Sequence, residues 1–171
     1  MKKTLLIILI GFISFNSYGQ IRHAKGLKAI DLSVGLTDVG PGFQAGYLMY
    51  LNSLSAFASV SYDSGKKASL NDRKAQGFTF DIGVGYTPIS INNSLFMTIY
   101  GGPSVSYDQV TDAEAYSTNS SINYGVMIKP EVEYFFSDAI SIMLQIPTRY
   151  LIQSEFGGLR LQAYLGVRYN F

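Results

Sequence analysis

The chain closes on Leu159-Arg-Leu-Gln-Ala-Tyr-Leu-Gly-Val-Arg-Tyr-Asn-Phe171. In an extended strand successive side chains point to opposite faces. Leu161, Ala163, Leu165, Val167, Tyr169 and Phe171 therefore share one face, and Arg160, Gln162, Tyr164, Gly166, Arg168 and Asn170 share the other. One face is apolar and the other polar, so the stretch reads as a strand between two media.

The same period recurs upstream. After a polar lead from Gln20 to Leu27, alternation defines eight segments: 28–36, 42–51, 54–63, 77–86, 94–108, 121–136, 139–152 and 159–171. Each is near or above the roughly 9 to 11 residues that a tilted membrane strand needs. The apolar face includes Ile30, Leu32 and Val34, then Phe43, Ala45, Tyr47 and Met49, and later Ile122, Tyr124, Val126 and Ile128. The opposite face carries Asp31, Asp81, Lys129, Glu131, Glu133, Arg149, Arg160 and Arg168 among many Gly, Ser and Thr.

Periodicity does not say which face looks outward, and a soluble barrel with an oily interior has the same pattern. Composition decides. A soluble surface is about a quarter to a third charged, whereas this polar face is mostly small, with charges of both signs spaced along it. Small residues and paired charges suit a narrow lumen. The expected fold is all-β, an eight-stranded antiparallel up-and-down transmembrane barrel.

Connector lengths set its orientation, because such barrels have short periplasmic turns and longer external loops. Asn52-Ser53 and Ser137-Asp138 are tight turns, which places both termini on the periplasmic side. The stretches 64–76 and 109–120 become external loops, and 87–93 a longer periplasmic turn. Segments five to seven exceed a bilayer strand and are expected to stand above it as a lip. Pro103, Pro130 and Pro147 cannot donate to a ladder, so a bulge is expected near Gly101-Gly102-Pro103 and local breaks at the other two.

The amino terminus supports export. Lys2 and Lys3 precede an apolar run from Leu5 to Phe15, and Ser17-Tyr18-Gly19 offers small residues where a signal peptidase reads. Residues 1–19 are expected to be a cleaved signal peptide, and 20–171 the barrel domain. The run, interrupted by Gly11, Ser14 and Asn16, falls short of the roughly 20 residues of a membrane helix. No cysteine occurs, which excludes a lipidated Cys and any disulfide. Loss of Lys2 and Lys3 leaves the 12 Asp and Glu slightly ahead of Lys and Arg, a balance that argues against a nucleic-acid-binding surface.

Catalytic chemistry finds little purchase, and no cofactor is expected. His23 is the single histidine. It stands in the polar lead, where it reads as a solvated side chain, and His-rich zinc sites and Ser-His-Asp catalysis are disfavoured. Glu131 and Glu133 share a strand face and could be an acid/base pair. Lys129, Arg149, Arg160 and Arg168 on neighbouring faces make a structural lumen network the better reading, since an unpaired buried charge is costly. Outside, Lys66, Lys67, Arg73 and Lys74 outweigh Asp72 in one loop. The other, running from Asp108 to Ser120, carries Asp112 and Glu114. The basic loop suits lipopolysaccharide phosphates and the acidic one a protein partner. Glycines such as Gly85 are read as room for large neighbours, Tyr50, Phe57 and Tyr100 among them.

Gly166, Tyr169 and the terminal Phe171 resemble the terminal strand by which outer-membrane barrels are recognised for assembly, which implies the barrel-assembly machinery as a partner. Lys25-Gly26-Leu27 before an immediate first strand, Thr148-Arg149-Tyr150-Leu151 before a short loop with Phe156, and the ending Gly166–Phe171 resemble the TraO family of conjugative transposons from Bacteroides-type bacteria. The chain departs from that family in having no tryptophan. The resemblance implies a non-enzymatic outer-membrane component of a DNA-transfer apparatus with other conjugation proteins as partners. The alternative is a free-standing barrel for envelope stability or adhesion. An enzyme acting on lipid ranks below both.

Overall fold

The computed structural model describes residues 23–67, 73–112, 117–152 and 158–171. The expected leader at 1–19, its cleavage point before Gln20, and Asp72, Glu114 and Phe156 lie outside the described residues. Ten antiparallel segments make the wall: β1 (Lys28–Leu36), β2 (Pro41–Leu51), β3 (Leu54–Lys67), β4 (Arg73–Ile91), β5 (Leu95–Asp112), β6 (Ser117–Phe135), β7 (Ile140–Gln145), β8 (Thr148–Ile152), β9 (Leu159–Leu161) and β10 (Ala163–Asn170). β7 and β8 are halves of one stave interrupted at Ile146-Pro147, and β9 and β10 are halves of another interrupted at Gln162. Eight staves result. Each pairs with its sequence neighbour, and β1 closes on β10 from Ala29 opposite Asn170 to Leu36 opposite Ala163. Closure removes the free edges that an open sheet would expose.

The apolar face is outside. Val34, Ile122, Val126, Leu159 and Leu161 are each at least 60% exposed, whereas Asp31, Lys129, Glu131, Arg149 and Arg168 are at most 2% exposed. A surface this apolar, wrapped around a charged interior, belongs in hydrocarbon. The transmembrane barrel read from alternation is thus the observed fold.

The turns and prolines depart in part from expectation. Strand β4 runs on to Ile91, so the supposed turn at 87–93 contracts to Asn92-Asn93-Ser94. Asn92 and Asn93 adopt φ of 52° and 50°, a left-handed conformation that Asn tolerates better than most residues. The bulge lies between Tyr86 and Ile89 against β5, around Pro88. No bulge occurs at Gly101-Gly102-Pro103, for β5 and β6 keep one register from Leu95 opposite Tyr134 to Asp112 opposite Ser117. Pro103 and Pro130 face outward and leave the alternation intact. Only Pro147 interrupts a stave, and the Gln162 amide there donates to the Pro147 carbonyl at 3.1 Å.

The external loops are shorter than read and the strands longer. Lys67, Arg73 and Asp112 belong to strands, so most of 64–76 and 109–120 is hairpin. The tall staves are β4, β5 and β6, at 19, 18 and 19 residues. The raised lip is therefore built by staves four to six. The seventh is of ordinary height.

Candidate functional site

Inward side chains arrive from alternate positions of every stave and meet in two tiers. Arg168 on β10 is the hub of the tier nearer the chain termini. Its Nη1 lies 2.7 Å from Glu131 Oε1 and 2.8 Å from Glu133 Oε2, and its Nη2 lies 2.8 Å from Glu131 Oε2 and 3.4 Å from Asp31 Oδ2. Glu131 also accepts from Gln145 Nε2 at 2.6 Å and from the Tyr100 hydroxyl at 3.1 Å. Glu133 accepts from the Ser141 hydroxyl. Lys129 sits over the rings of Phe57 and Tyr100, 4.5 and 4.6 Å from their centroids, where ring quadrupoles attract an ammonium. Gln44 extends the network, donating to Gln145 Oε1 at 2.7 Å.

The outer tier is built of separate pairs. Arg149 Nη2 meets Asp81 Oδ2 at 2.6 Å, and Ser104 donates to Asp81 Oδ1 at 2.6 Å. The other Arg149 nitrogen, Nη1, donates to Gln162. Arg160 pairs with Asp108. Asp108 also accepts from Ser106 and from Asn123, each at 2.7 Å.

Each of the eight lumen charges read from the sequence lies in this interior, and the structure divides them between the tiers. Asp108 is a correction. Read as the foot of an acidic external loop, it is fully buried, because β5 continues past it and the inward parity carries it into the lumen. Asp63, passed over at the end of the third segment, is fully buried as well. Inward parity with respect to Ser59 and Ser61 was the signal available for it.

His23 is the second correction. It is 6% exposed, not solvated. The Gly26 amide bonds the Tyr50 carbonyl at 2.8 Å, and Gly26 takes a φ of 90°, which glycine adopts without strain. Residues 23–27 thereby fold back under the barrel. The imidazole stacks on Phe96 at 4.1 Å and lies tilted against Tyr50 at 4.3 Å, with Nε2 2.9 Å from Glu133 Oε2. Residues 23–27 plug the barrel mouth on the side of the chain termini. At the other end Val39, from the loop joining β1 and β2, is buried with Ala75 and Val110. Thr37 Oγ1 accepts from the Val39 and Gly40 amides and braces that loop.

Small residues make the tiers possible. A Cβ at Gly85 would lie 2.5 Å from the Tyr100 ring, and one at Gly46 would lie 2.6 Å from Asp31 Oδ1. Glycine opposite a bulky or charged inward neighbour is how so narrow a lumen holds so many large groups. Among the described residues no group of three or more His, Cys, Asp or Glu is placed to hold a metal.

The remaining sites lie on the wall. Tyr169 and Phe171 face outward with ring centroids 6.1 Å apart, while Gly166 faces inward against Ser33. Lys66 and Lys74 are exposed and directly opposite each other on β3 and β4. Lys67 and Arg73 occupy the next rung, and Asp112 ends β5.

No family model matches the chain, and no curated protein matches it. Solved structures do. The N-terminal β-barrel domain of Pseudomonas aeruginosa OprF superposes with a TM-score of 0.67 at 13% identity, covering 86% of this chain and 98% of that one. A major outer membrane protein from Thermus thermophilus gives 0.67 at 14% identity, covering 85% and 98%. Ail, the attachment invasion locus protein of Yersinia pestis, gives 0.62 at 12% identity, covering 86% and 100%. The chain has the closed eight-stranded fold of small outer-membrane barrels.

Proposed function

We propose that this protein is a non-enzymatic barrel of the outer membrane, exported by a cleaved leader and inserted by the assembly machinery through its terminal strand. In this reading it is the membrane-embedded component of a conjugative DNA-transfer apparatus. The observation that carries the scaffold reading is the filled lumen. Its charged side chains are at most 2% exposed, and the arginines hold Asp31, Asp81, Asp108, Glu131 and Glu133, with His23 stacked beneath them and Val39 above. Such an interior offers no wide passage, and Glu131 and Glu133, the carboxylate pair on one strand face, are both held by Arg168. The surface left for work is the wall of β3 to β6, which rises beyond the height of its neighbours and stands where a partner reaches it.

The assignment to conjugation rests on the resemblance of the Lys25-Gly26-Leu27, Thr148–Leu151 and Gly166–Phe171 stretches to the TraO family. The free-standing envelope barrel is favoured instead by the structural likeness to Ail, an attachment protein by its name. Clean deletion of the gene separates the two. Reduced DNA transfer from the donor is expected. Replacing residues 109–120 by a short Gly-Ser turn should reproduce the defect, while the barrel still migrates faster unheated than boiled. Unchanged transfer in the deletion strain overturns the conjugation reading and leaves the free-standing barrel.

A further inference from the structure

The ladder registers arrange the outward face of the tall wall in three rows. Tyr62, Phe78, Tyr107 and Ile122 stand side by side across β3, β4, β5 and β6, and all four are exposed. Two residues further from the periplasm the row reads Ser64, Gln76, Gln109 and Ser120, and two further still Lys66, Lys74, Thr111 and Thr118. Aromatic residues mark the interface between hydrocarbon and headgroups. At about 3.4 Å per residue, the second and third rows stand roughly 7 and 14 Å further along the strands.

The third row contains an arrangement that a sheet avoids. Lys66 and Lys74 are directly opposite, and both are exposed. Like charges placed opposite each other destabilise a strand pair. Nothing in the two polar rows offsets this, for they contain amides, hydroxyls and ammonium groups and no carboxylate.

We propose that these rows bind the phosphorylated sugar headgroup of an outer-leaflet glycolipid. Its acyl chains would lie on the Tyr62–Ile122 row, its sugar hydroxyls on the amides and hydroxyls of the second row, and a phosphate between Lys66 and Lys74. The membrane source follows from continuity, because the cationic pair crowns the same face that the lipid covers. An ammonium pair serves phosphate as compact point charges. The site stands apart from the conjugation reading and holds for an envelope barrel of either kind.

The test uses the mature barrel in detergent, titrated with lipid A carrying its phosphates or enzymatically stripped of them, with bound lipid counted by native mass spectrometry. Wild type should retain the phosphorylated form about tenfold or more better than the stripped form, and K66E/K74E should lose that preference. A second variant, Lys66→Thr, should melt higher than wild type without lipid and gain less from lipid A, since it removes the repulsion that the phosphate relieves. Migration on unheated gels reports that each variant is folded. Equal retention of both lipid forms by wild type, or undiminished preference in folded K66E/K74E, overturns the site. Heparin binding as tightly as lipid A would also overturn it, in favour of a soluble polyanion.

Discussion

The two tiers of the lumen solve one problem in opposite ways. In the outer tier Arg149 pairs with Asp81 and Arg160 with Asp108, and further hydrogen bonds come from Ser, Asn and Gln. In the tier nearer the chain termini one arginine serves Asp31, Glu131 and Glu133 together, with Lys129 nearby over two aromatic rings. Separate pairs are divisible, since either can be replaced as a unit. A shared hub is not, because removing its centre strands every partner at once. The N-terminal plug is attached to the indivisible tier, through His23 and Glu133.

The largest effect should follow loss of the hub. Arg168→Met leaves three buried carboxylates without their common cation, and breaking even one buried pair costs about 3–5 kcal/mol. The variant should lie at or beyond the top of that range, and little of it should reach the compact form on an unheated gel. A urea midpoint close to wild type would show that the hub holds nothing together.

A smaller effect, about 3 kcal/mol, is expected for Arg160→Met, because Asp108 loses its arginine while Ser106 and Asn123 still solvate it. Adding Asp108→Leu should restore most of the lost stability, since an apolar pair can replace an ionic one at little cost. The matching double change in the other tier, Arg168→Met with Glu131→Leu, should not recover, for Asp31 and Glu133 remain. Equal rescue in both tiers would erase the distinction between pair and hub.

The smallest effect is expected at the plug. His23→Ala removes a hydrogen bond to a charged group and an aromatic stack, together worth about 2 kcal/mol. The urea midpoint should fall accordingly, and amide exchange at Ala24 to Leu27 should quicken while the outer tier keeps its protection. Unchanged exchange there would mean that the backbone bonds of Gly26 and Leu27 hold the lead without His23.

Alternation with period two is a local property of the chain. It was therefore legible before any fold was known, along with the eight staves, the polar inward face and the Arg168–Glu131–Glu133 neighbourhood. The prolines misled, because the outward-facing Pro103 and Pro130 each remove a single donor and leave the register alone, while the bulge formed at Pro88 instead. How far each hairpin zips was not legible either. Sequence marked 64–76 and 109–120 as loops by their polarity, yet strands above a membrane are polar on both faces, so the signal for loop and the signal for raised strand coincide. Asp108 was misplaced for that reason. His23 was misplaced for another, since its burial depends on Tyr50, Phe96, Phe135 and Glu133, which come from three distant staves. Sequence alone settled the medium on each side of the wall, because alternation separates the two faces and the small, sparsely charged make-up of the polar one marks it as the lumen. Only the closed barrel decided which charges share a partner and what fills the mouths, because those contacts join distant parts of the chain, 35 positions apart for Arg168 and Glu133 and 110 for His23 and Glu133.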